Sequence, residues 1–326
     1  MTYLNRRRLI AAVAAFATFS AVPNFVAAQE QLPELKITAP AGAGGGWDTA
    51  ARSLQQVMTQ IGAVRSVQVV NVPGAGGTIG LAQFSSQAAG RSDEMLLGGI
   101  TLVGAIISNN APVTLDKVTP IARLTGDPLV IVVPAKSPIK TVADLTAAIK
   151  KDVASTIWAG GSAGGADHIL AALATKAAGA DPAKTNYVAF SGGGEALAAM
   201  LGGRVTAGVS GYGEFESQIK TGALRALAVS SPERIAGVDV PTLKELGHDV
   251  EVVNWRGVFA GPNISAEDKQ KLSKLIETTL KSPQWAEVLK ARGWSDYYAP
   301  SEDFSTFLAS EQTRVREILK SLGLAK

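Results

Sequence analysis

Short apolar runs alternate with helical patterns along almost all of this 326-residue chain, and this alternation limits the possible folds more than any other feature. An apolar run at 35–39 precedes a helical pattern at 47–60, and the same order repeats at 67–72 and 78–88 before a third run at 94–100. Consecutive βαβ units place their strands side by side in the same direction. The pattern therefore predicts a parallel sheet flanked by helices.

A second α/β unit follows a loop that contains Pro112 and Pro120. Residues 129–133 are apolar throughout, as expected of a strand buried on both faces. The remaining pattern predicts strands at 154–158, 187–190, 205–209, 224–230 and 250–260, and helices at 141–150, 165–178, 194–201, 214–220, 265–280, 283–292 and 301–322. The last three helices have no sheet of their own, so we expect them to pack on the earlier unit.

Four turns rich in glycine and small hydroxyl residues lie where an apolar run gives way to a helical pattern, at 42–48, 73–78, 160–168 and 191–195. Such turns expose backbone N–H groups at helix N-termini, where the helix dipole favours anions. None of the four contains Lys or Arg. They predict an anion site assembled from several loops and built mainly from backbone amides.

Nucleotide-binding patterns do not fit these turns. A dinucleotide motif needs glycine in its third place, which Trp47 and Ile79 occupy, and a Walker A loop needs a Gly-Lys dipeptide, which the chain lacks. One enzymatic pattern remains, since 160–164 matches G-x-S-x-G with Ser162 as nucleophile, and His248 follows with Asp239 or Glu245 between. An esterase is therefore the alternative, although a short pattern arises easily by chance among 34 glycines.

The titratable residues predict neither metal nor cofactor chemistry. The chain has no cysteine, and its two histidines, His168 and His248, are 80 positions apart. His168 begins a predicted helix, where a structural role and a ligand contact are both open. Asp48 and Arg52 have the i, i+4 spacing of a surface ion pair, and Trp47 either packs in the core or lines a cleft.

The N-terminal segment has the features of a secretory signal peptide over 1–28: Arg6 to Arg8, an apolar run at 9–19, and the small-residue sequence Val26-Ala27-Ala28. Its removal takes three of the 31 basic residues and none of the 28 acidic ones, so the mature chain is close to neutral. A nucleic-acid partner is not expected, because it would require a basic surface. We expect an exported protein of the periplasm.

Five ordered segments carry a family resemblance, which spans essentially the whole mature chain. The segments are 39–48 (APAGAGGGWD), 71–80 (NVPGAGGTIG), 160–168 (GGSAGGADH), 190–196 (FSGGGEA) and 254–257 (NWRG). Together they resemble the extracytoplasmic receptors of tripartite tricarboxylate transporters, also called Bug-type receptors.

The resemblance implies an α/β, two-lobed Venus-flytrap fold in which each lobe is a mostly parallel sheet flanked by helices. The first lobe would comprise 29–124 and 252–326, and the second lobe 125–251. The protein would be a monomeric receptor without catalytic activity or cofactor. It would capture a tricarboxylate such as citrate, or a C4 dicarboxylate, and deliver it to integral-membrane transporter subunits.

By this resemblance, backbone amides and hydroxyls of the loops would bind the ligand, with Ser162 as a hydroxyl donor, and Trp47 and Trp255 would lie near the cleft. The residues expected to bind the ligand are Gly44, Gly45, Gly46, Trp47, Asp48, Gly74, Ala75, Gly76, Gly77, Thr78, Ser162, Ala163, Gly164, Gly165, Asp167, His168, Ser191, Gly192, Gly193 and Asn254.

The signal-peptide pattern predicts that the mature protein begins at Gln29. Signal peptidase cleaves after a small-residue pattern of this kind, and Ala28 is its last member. N-terminal sequencing of periplasmic material tests the prediction. A mature protein that retains Arg6 to Arg8 would contradict it.

Overall fold

The computed structural model describes residues 32–190 and 193–325, and the predicted signal peptide lies outside them. In the described residues the strands are β1 Leu32–Ala39, β2 Val64–Asn71, β3 Glu94–Gly99, β4 Thr119–Pro134, β5 Ile157–Gly160, β6 Asn186–Ala189, β7 Ala207–Gly211, β8 Leu224–Val229, β9 Val253–Ala260 and β10 Ser295–Pro300. The α-helices there are α1 Gly46–Gln60, α2 Thr78–Gln87, α3 Ile100–Ser108, α4 Val142–Lys151, α5 Ala166–Ala177, α6 Gly193–Leu201, α7 Tyr212–Lys220, α8 Ala266–Leu280, α9 Pro283–Arg292 and α10 Ser301–Ser321.

The strands follow the order β2-β1-β3-β9-β4-β7-β5-β6, and β8 and β10 also pair with β4. The outer strands are parallel, as predicted: β1 pairs with β2 and β3, and β5 pairs with β6 and β7. At the centre, β9 runs antiparallel to β3 and β4, and β4 runs antiparallel to β7. The sheet is therefore mixed.

Strand β4 connects two groups of strands. We call β1, β2, β3, β9 and β10 the first strand group, and β5, β6, β7 and β8 the second. From Thr119 to Pro128, β4 pairs with β9, and from Leu129 onward it pairs with β7 and β8. Leu129 to Val133 are fully buried, which explains the continuous apolar run. This arrangement agrees with the two-lobed fold, while the lobe boundaries at 124/125 and 251/252 stay a prediction.

The helical patterns correspond to amphipathic helices in most cases. On α1, Ala51, Leu54 and Met58 are fully buried against the sheet, whereas Trp47 is only half-buried. Helix α9 begins as predicted, with Ser282 as N-cap accepting from the amide of Trp285 and Pro283 in the first helical position.

Three elements differ from the sequence prediction. Helix α3 falls in a stretch predicted as loop, because it is apolar on nearly all sides and this conceals its helical period. Strand β4 begins ten residues earlier than expected, since Pro120, Gly126 and Pro128 conceal its first half. Strand β10, which pairs with β4 through an irregular register, is short and polar and was not predicted.

Candidate ligand-binding cleft

A cavity of about 650 Å³ lies where the predicted glycine turns meet. The turns follow β1, β2 and β5, so both strand groups contribute to its walls. The cavity is lined by Pro40, Ala41, Gly42, Gly45, Gly46, Trp47, Pro73, Gly74, Ala75, Gly76, Gly77, Thr101, Asn109, Gly161, Ser162, Ala163, Gly165, Ala166, Asp167, Ala189, Phe190, Glu195, Ser210, Glu214, Asn254 and Arg256.

Asp48 holds the turn before α1 in place from the side away from the cavity. One oxygen of its carboxylate accepts from the amide of Gly44 at 2.8 Å and from Arg52 Nε at 3.0 Å, and the other accepts from Asn71 Nδ2 at 2.9 Å. Burial would raise the pKa of Asp48, but these hydrogen bonds hold it below its usual value. The predicted Asp48–Arg52 ion pair is confirmed. Asp48 and Gly44 do not line the cavity, and the ligand contacts expected of them stay a prediction.

The turn before α2 runs through four successive residues with positive φ, at +126° for Gly74, +48° for Ala75, +65° for Gly76 and +95° for Gly77. A Cβ atom on Gly76 would clash with Ala105 of α3, and one on Gly77 would reach the Trp47 ring. Glycine therefore lets this loop lie directly on α3 and on Trp47. Its four residues line the cavity as predicted, whereas Thr78 points its hydroxyl back to the Ala75 carbonyl and does not.

The turn before α5 is shaped by two side chains that follow it. Asp167 accepts from the amide of Gly161 at 2.7 Å, and His168 Nδ1 accepts from the amide of Gly164 at 3.1 Å. His168 stacks on Tyr187 with ring centroids 4.2 Å apart, and Tyr187 donates to the Gly161 carbonyl at 2.8 Å. Burial lowers the pKa of His168 to about 4, so the ring stays neutral and can accept the amide proton.

His168 and Gly164 therefore lie behind the loop and do not line the cavity. The described contacts of His168 are structural, and the ligand contact expected of it stays a prediction. Ser162, Ala163, Gly165 and Asp167 line the cavity as expected.

The remaining predicted residues divide into three cases. Ser191 and Gly192 lie outside the described residues, and Gly193 begins α6. Asn254 lines the cavity. Trp255 was expected near the cleft, but it is 1% exposed and donates to Glu311 at 3.1 Å, between Phe304 and Phe307 of α10. It belongs to the core rather than to the site.

Sequence reasoning missed the buried ion pair between Arg256 and Asp127. Arg256 Nη2 donates to Asp127 Oδ2 at 2.7 Å, and each residue is 2% exposed. The guanidinium also packs against Gly46, where a Cβ atom would lie only 2.8 Å from Nη2. Arg256 lines the cavity, and its Nη1 has no hydrogen-bond partner among the described residues. The available signal was the arginine of the 254–257 motif, which lies inside a predicted strand.

Three carboxylates also line the cavity and were not recognised as a group. Asp167, Glu195 and Glu214 lie in the first turns of α5, α6 and α7. Burial raises the pKa of Asp167 to about 7, and the nearby charges of Glu214 and Asp127 add to the rise, while the Gly161 amide and Arg256 oppose it. The second strand group thus places three carboxyl groups at the cavity.

The esterase constellation is not assembled. Ser162 lines the cavity, but His248, Asp239 and Glu245 do not. Asp239 and Glu245 instead bind Arg234, at 3.1 Å and 2.9 Å. Within 32–190 and 193–325, no group of three or more His, Cys, Asp or Glu side chains is placed to hold a metal ion. In the same part of the chain, no helix is both long and apolar enough to cross a membrane.

Comparison with known proteins gives a consistent family assignment. Residues 50–324 match the family described as "Tripartite tricarboxylate transporter family receptor". The "UPF0065 protein in the TAR-I ttuE-ttuC' intergenic region" of Agrobacterium vitis is 30% identical over 288 residues, which cover 86% of this chain and 82% of that protein.

Solved structures of periplasmic binding proteins have the same fold as this chain. The periplasmic binding protein BugD superposes with a TM-score of 0.81 at 25% identity, covering 90% of this chain and 99% of that one. Two Rhodopseudomonas palustris proteins share the fold: MatC with bound malate, and Rpa4515 with adipate. Their TM-scores are 0.77 and 0.82 at 22% and 19% identity, and they cover 88% and 90% of this chain and 99% and 98% of their own. The predicted two-lobed α/β fold is confirmed.

We predict that Asp167→Asn becomes more stabilising, relative to the wild type, as pH rises from 4 to 8. Asp167 titrates near 7 in the folded protein but near 4 in the unfolded chain. Between these values the native state keeps a proton that the unfolded state has lost, so wild-type stability falls as pH rises. Asn has no such loss, and the difference should reach about 1–2 kcal/mol, because solvent screens a half-buried carboxyl.

Urea unfolding of the ligand-free protein across this pH range measures the effect. Asp144→Asn is the control: hydrogen bonds from Lys140 and Thr141 hold the pKa of Asp144 below its usual value, so this carboxyl is ionised in both states over most of the range, and its replacement should change stability by a nearly constant amount. A stability difference for Asp167→Asn that does not change with pH would contradict the prediction.

Proposed function

This chain belongs to the family of tripartite tricarboxylate transporter receptors, and from that premise we propose that it captures a small carboxylate between its two lobes and delivers it to the integral-membrane subunits of such a transporter. The family consists of solute-binding receptors rather than enzymes. The proposal includes export through the signal peptide at 1–28 and action as a monomer in the periplasm.

The observation that supports the proposal best is the composition of the cavity wall. Glycine turns from both strand groups line it, and the helices α1, α2 and α5 begin there without a side-chain N-cap. Uncapped helix N-termini leave backbone N–H groups free for an anion. Several oriented amides can hold a carboxylate without a formal counter-charge in the loops.

The size of the cavity and the related structures point to the same class of ligand. A volume of about 650 Å³ is within the range that suits small metabolites. Malate and adipate, the ligands named for the two R. palustris proteins, are both dicarboxylates. For this chain we propose a di- or tricarboxylate as the starting class, including citrate and C4 acids.

We propose that the ligand bridges the lobes. The turns before α1 and α2 belong to the first strand group and the turn before α5 to the second, so neither group alone carries all of the donors. A ligand favours the closed state only through contacts that the open state lacks. The proposed lobes, 29–124 with 252–326 and 125–251, meet along β4 close to its change of partners at Pro128.

Binding should compact the protein. We expect calorimetry with malate, adipate and citrate to find at least one that binds, and small-angle scattering at saturation to show a smaller radius of gyration. The fluorescence change should come from Trp47, which lines the cavity, because Trp255 is buried elsewhere. Binding without compaction would mean that the ligand contacts one lobe only.

A pair of glycine variants sharpens this test. Gly76→Ala should reduce affinity at least tenfold, because its Cβ would displace the loop from Ala105. Gly62→Ala is the matched control: Gly62 has a similar φ of +69°, and no atom lies within 4 Å of the position that its Cβ would take. Equal losses in both variants would show general strain rather than a local effect on the site.

Ser162→Ala separates a receptor from an esterase. As a hydroxyl donor to a carboxylate, Ser162 should contribute about 1.5–3 kcal/mol, so the variant should bind one to two decades more weakly. Wild type and variant should both lack turnover of activated esters. His248→Ala should bind normally. Ester hydrolysis that scales with wild-type protein and disappears in either variant would overturn the proposed function.

A further inference from the structure

Among the described residues, Arg256 is the only Lys or Arg that lines the cavity. It is 2% exposed, and its guanidinium is held from three sides. Nη2 donates to Asp127 Oδ2 at 2.7 Å, a Cβ on Gly46 would lie 2.8 Å from the same nitrogen, and the centroid of the Trp294 ring is 4.8 Å from Cζ. A guanidinium fixed in this way loses little rotamer freedom when it binds a ligand.

The other terminal nitrogen of Arg256, Nη1, has no acceptor among the described residues. It is buried, and a buried guanidinium nitrogen normally donates to an acceptor. Asp127 occupies Nη2 alone. The ion pair therefore fixes the guanidinium but leaves part of its hydrogen-bonding capacity unused.

The N-terminus of α1 lies against the same guanidinium. This helix has 15 residues, and its N-cap, Gly45, provides no side-chain hydrogen bond. The first amides of a helix have no partner within it, and the positive end of the helix dipole favours an anion there. Gly45, Gly46 and Trp47 line the cavity, whereas both carboxylate oxygens of Asp48 are occupied on the side away from it. Helix amides and an unpartnered guanidinium nitrogen thus meet on one wall of the cleft.

We infer that Arg256 and the N-terminus of α1 form an anion subsite, here called the Arg256 subsite, that takes one carboxylate of the ligand. This inference rests on the proposed function and assigns one of the carboxylates to the wall formed by the first strand group. Asp127 is the positioning residue of the subsite, because it holds Nη2 and leaves Nη1 for the ligand. Its own negative charge lies behind the guanidinium and opposes the charge of the ligand.

The two members of the ion pair should therefore affect affinity in opposite directions. Arg256 attracts the carboxylate of the ligand, and the charge of Asp127 repels it. A pair that only supported the cavity wall would behave differently, since loss of either member would then weaken binding.

Calorimetry with malate, adipate and citrate tests these directions. Asp127→Asn removes the charge but keeps an oxygen that can accept from Nη2, so it should bind at least threefold more tightly than wild type. The double variant Asp127→Asn with Arg256→Gln leaves no lone buried charge and should bind at least tenfold more weakly. Burial raises the pKa of Asp127, so the titrations are run at pH 8 to keep this carboxyl ionised.

A second ion pair of the first strand group provides the matched control. Lys36 Nζ lies 2.8 Å from Glu94 Oε2, Glu94 is 5% exposed, and neither residue lines the cavity. The double variant Lys36→Gln with Glu94→Gln should bind each acid within twofold of wild type. Urea unfolding of each ligand-free variant establishes that it is folded before its affinity is compared.

A crystal structure of wild-type protein with the tightest-binding of the three acids tests the contact without any variant. We expect a carboxylate oxygen within hydrogen-bond distance of a guanidinium nitrogen of Arg256 and of a backbone amide at 46–48. This measurement and the double variant decide the matter if Asp127→Asn does not fold.

Three outcomes would overturn the inference and leave the proposed function standing. They are an acid bound with its carboxylates away from Arg256, a double variant with wild-type affinity, and a folded Asp127→Asn variant that binds more weakly than wild type. If none of the three acids binds to the wild type, the proposed function itself fails, and the inference fails with it.

Discussion

The buried ion pair between Asp127 and Arg256 is the interaction on which the centre of this structure depends. It joins β4 and β9, which run side by side where the two strand groups meet. Arg256 packs against Gly46 at the start of α1, and Asp127 lies so close to Gly211, the N-cap of α7, that a Cβ there would clash with its carboxylate. The pair therefore lies between the N-termini of two helices on opposite sides of the cavity. Removal of one partner alone would leave a buried charge, which costs roughly 3–5 kcal/mol.

Helix α3 gives the cleft its shape. The loop before α2 and the loop before α5 both lie against it, and each contact needs glycine. Gly76 allows the first loop to reach Ala105, and Gly104 allows the second to bring the Gly164 carbonyl onto the helix. Because the two loops rest on the same helix, they line the same cavity. The glycines thus act through close packing as much as through backbone conformation.

The charge on each side of the cleft depends on the residues in the first turn of each helix that begins there. On the first side, α2 and α3 follow glycine N-caps and have no acidic residue in their first turns, so their amides keep their partial positive charge. On the second side, an acidic residue in the first turn of α5, α6 and α7 offsets the helix dipole and adds negative charge. The two sides of the cavity therefore differ in the acidic residues that begin their helices.

The sequence by itself determined the α/β alternation, most strand and helix positions, the glycine turns and the family, because these follow from local periodicity and from short motifs. Only the tertiary structure decided which side of each turn faces the cavity. Asp48 and His168 belong to the sequence motifs, but their side chains accept hydrogen bonds from loop amides on the side away from the cavity. Trp255 packs in the core against α10. Arg256 is held in the cavity wall by its ion pair with Asp127, which lies 129 positions away in the sequence. Burial and hydrogen bonding of a polar side chain depend on partners that are distant in sequence, and local patterns do not contain them.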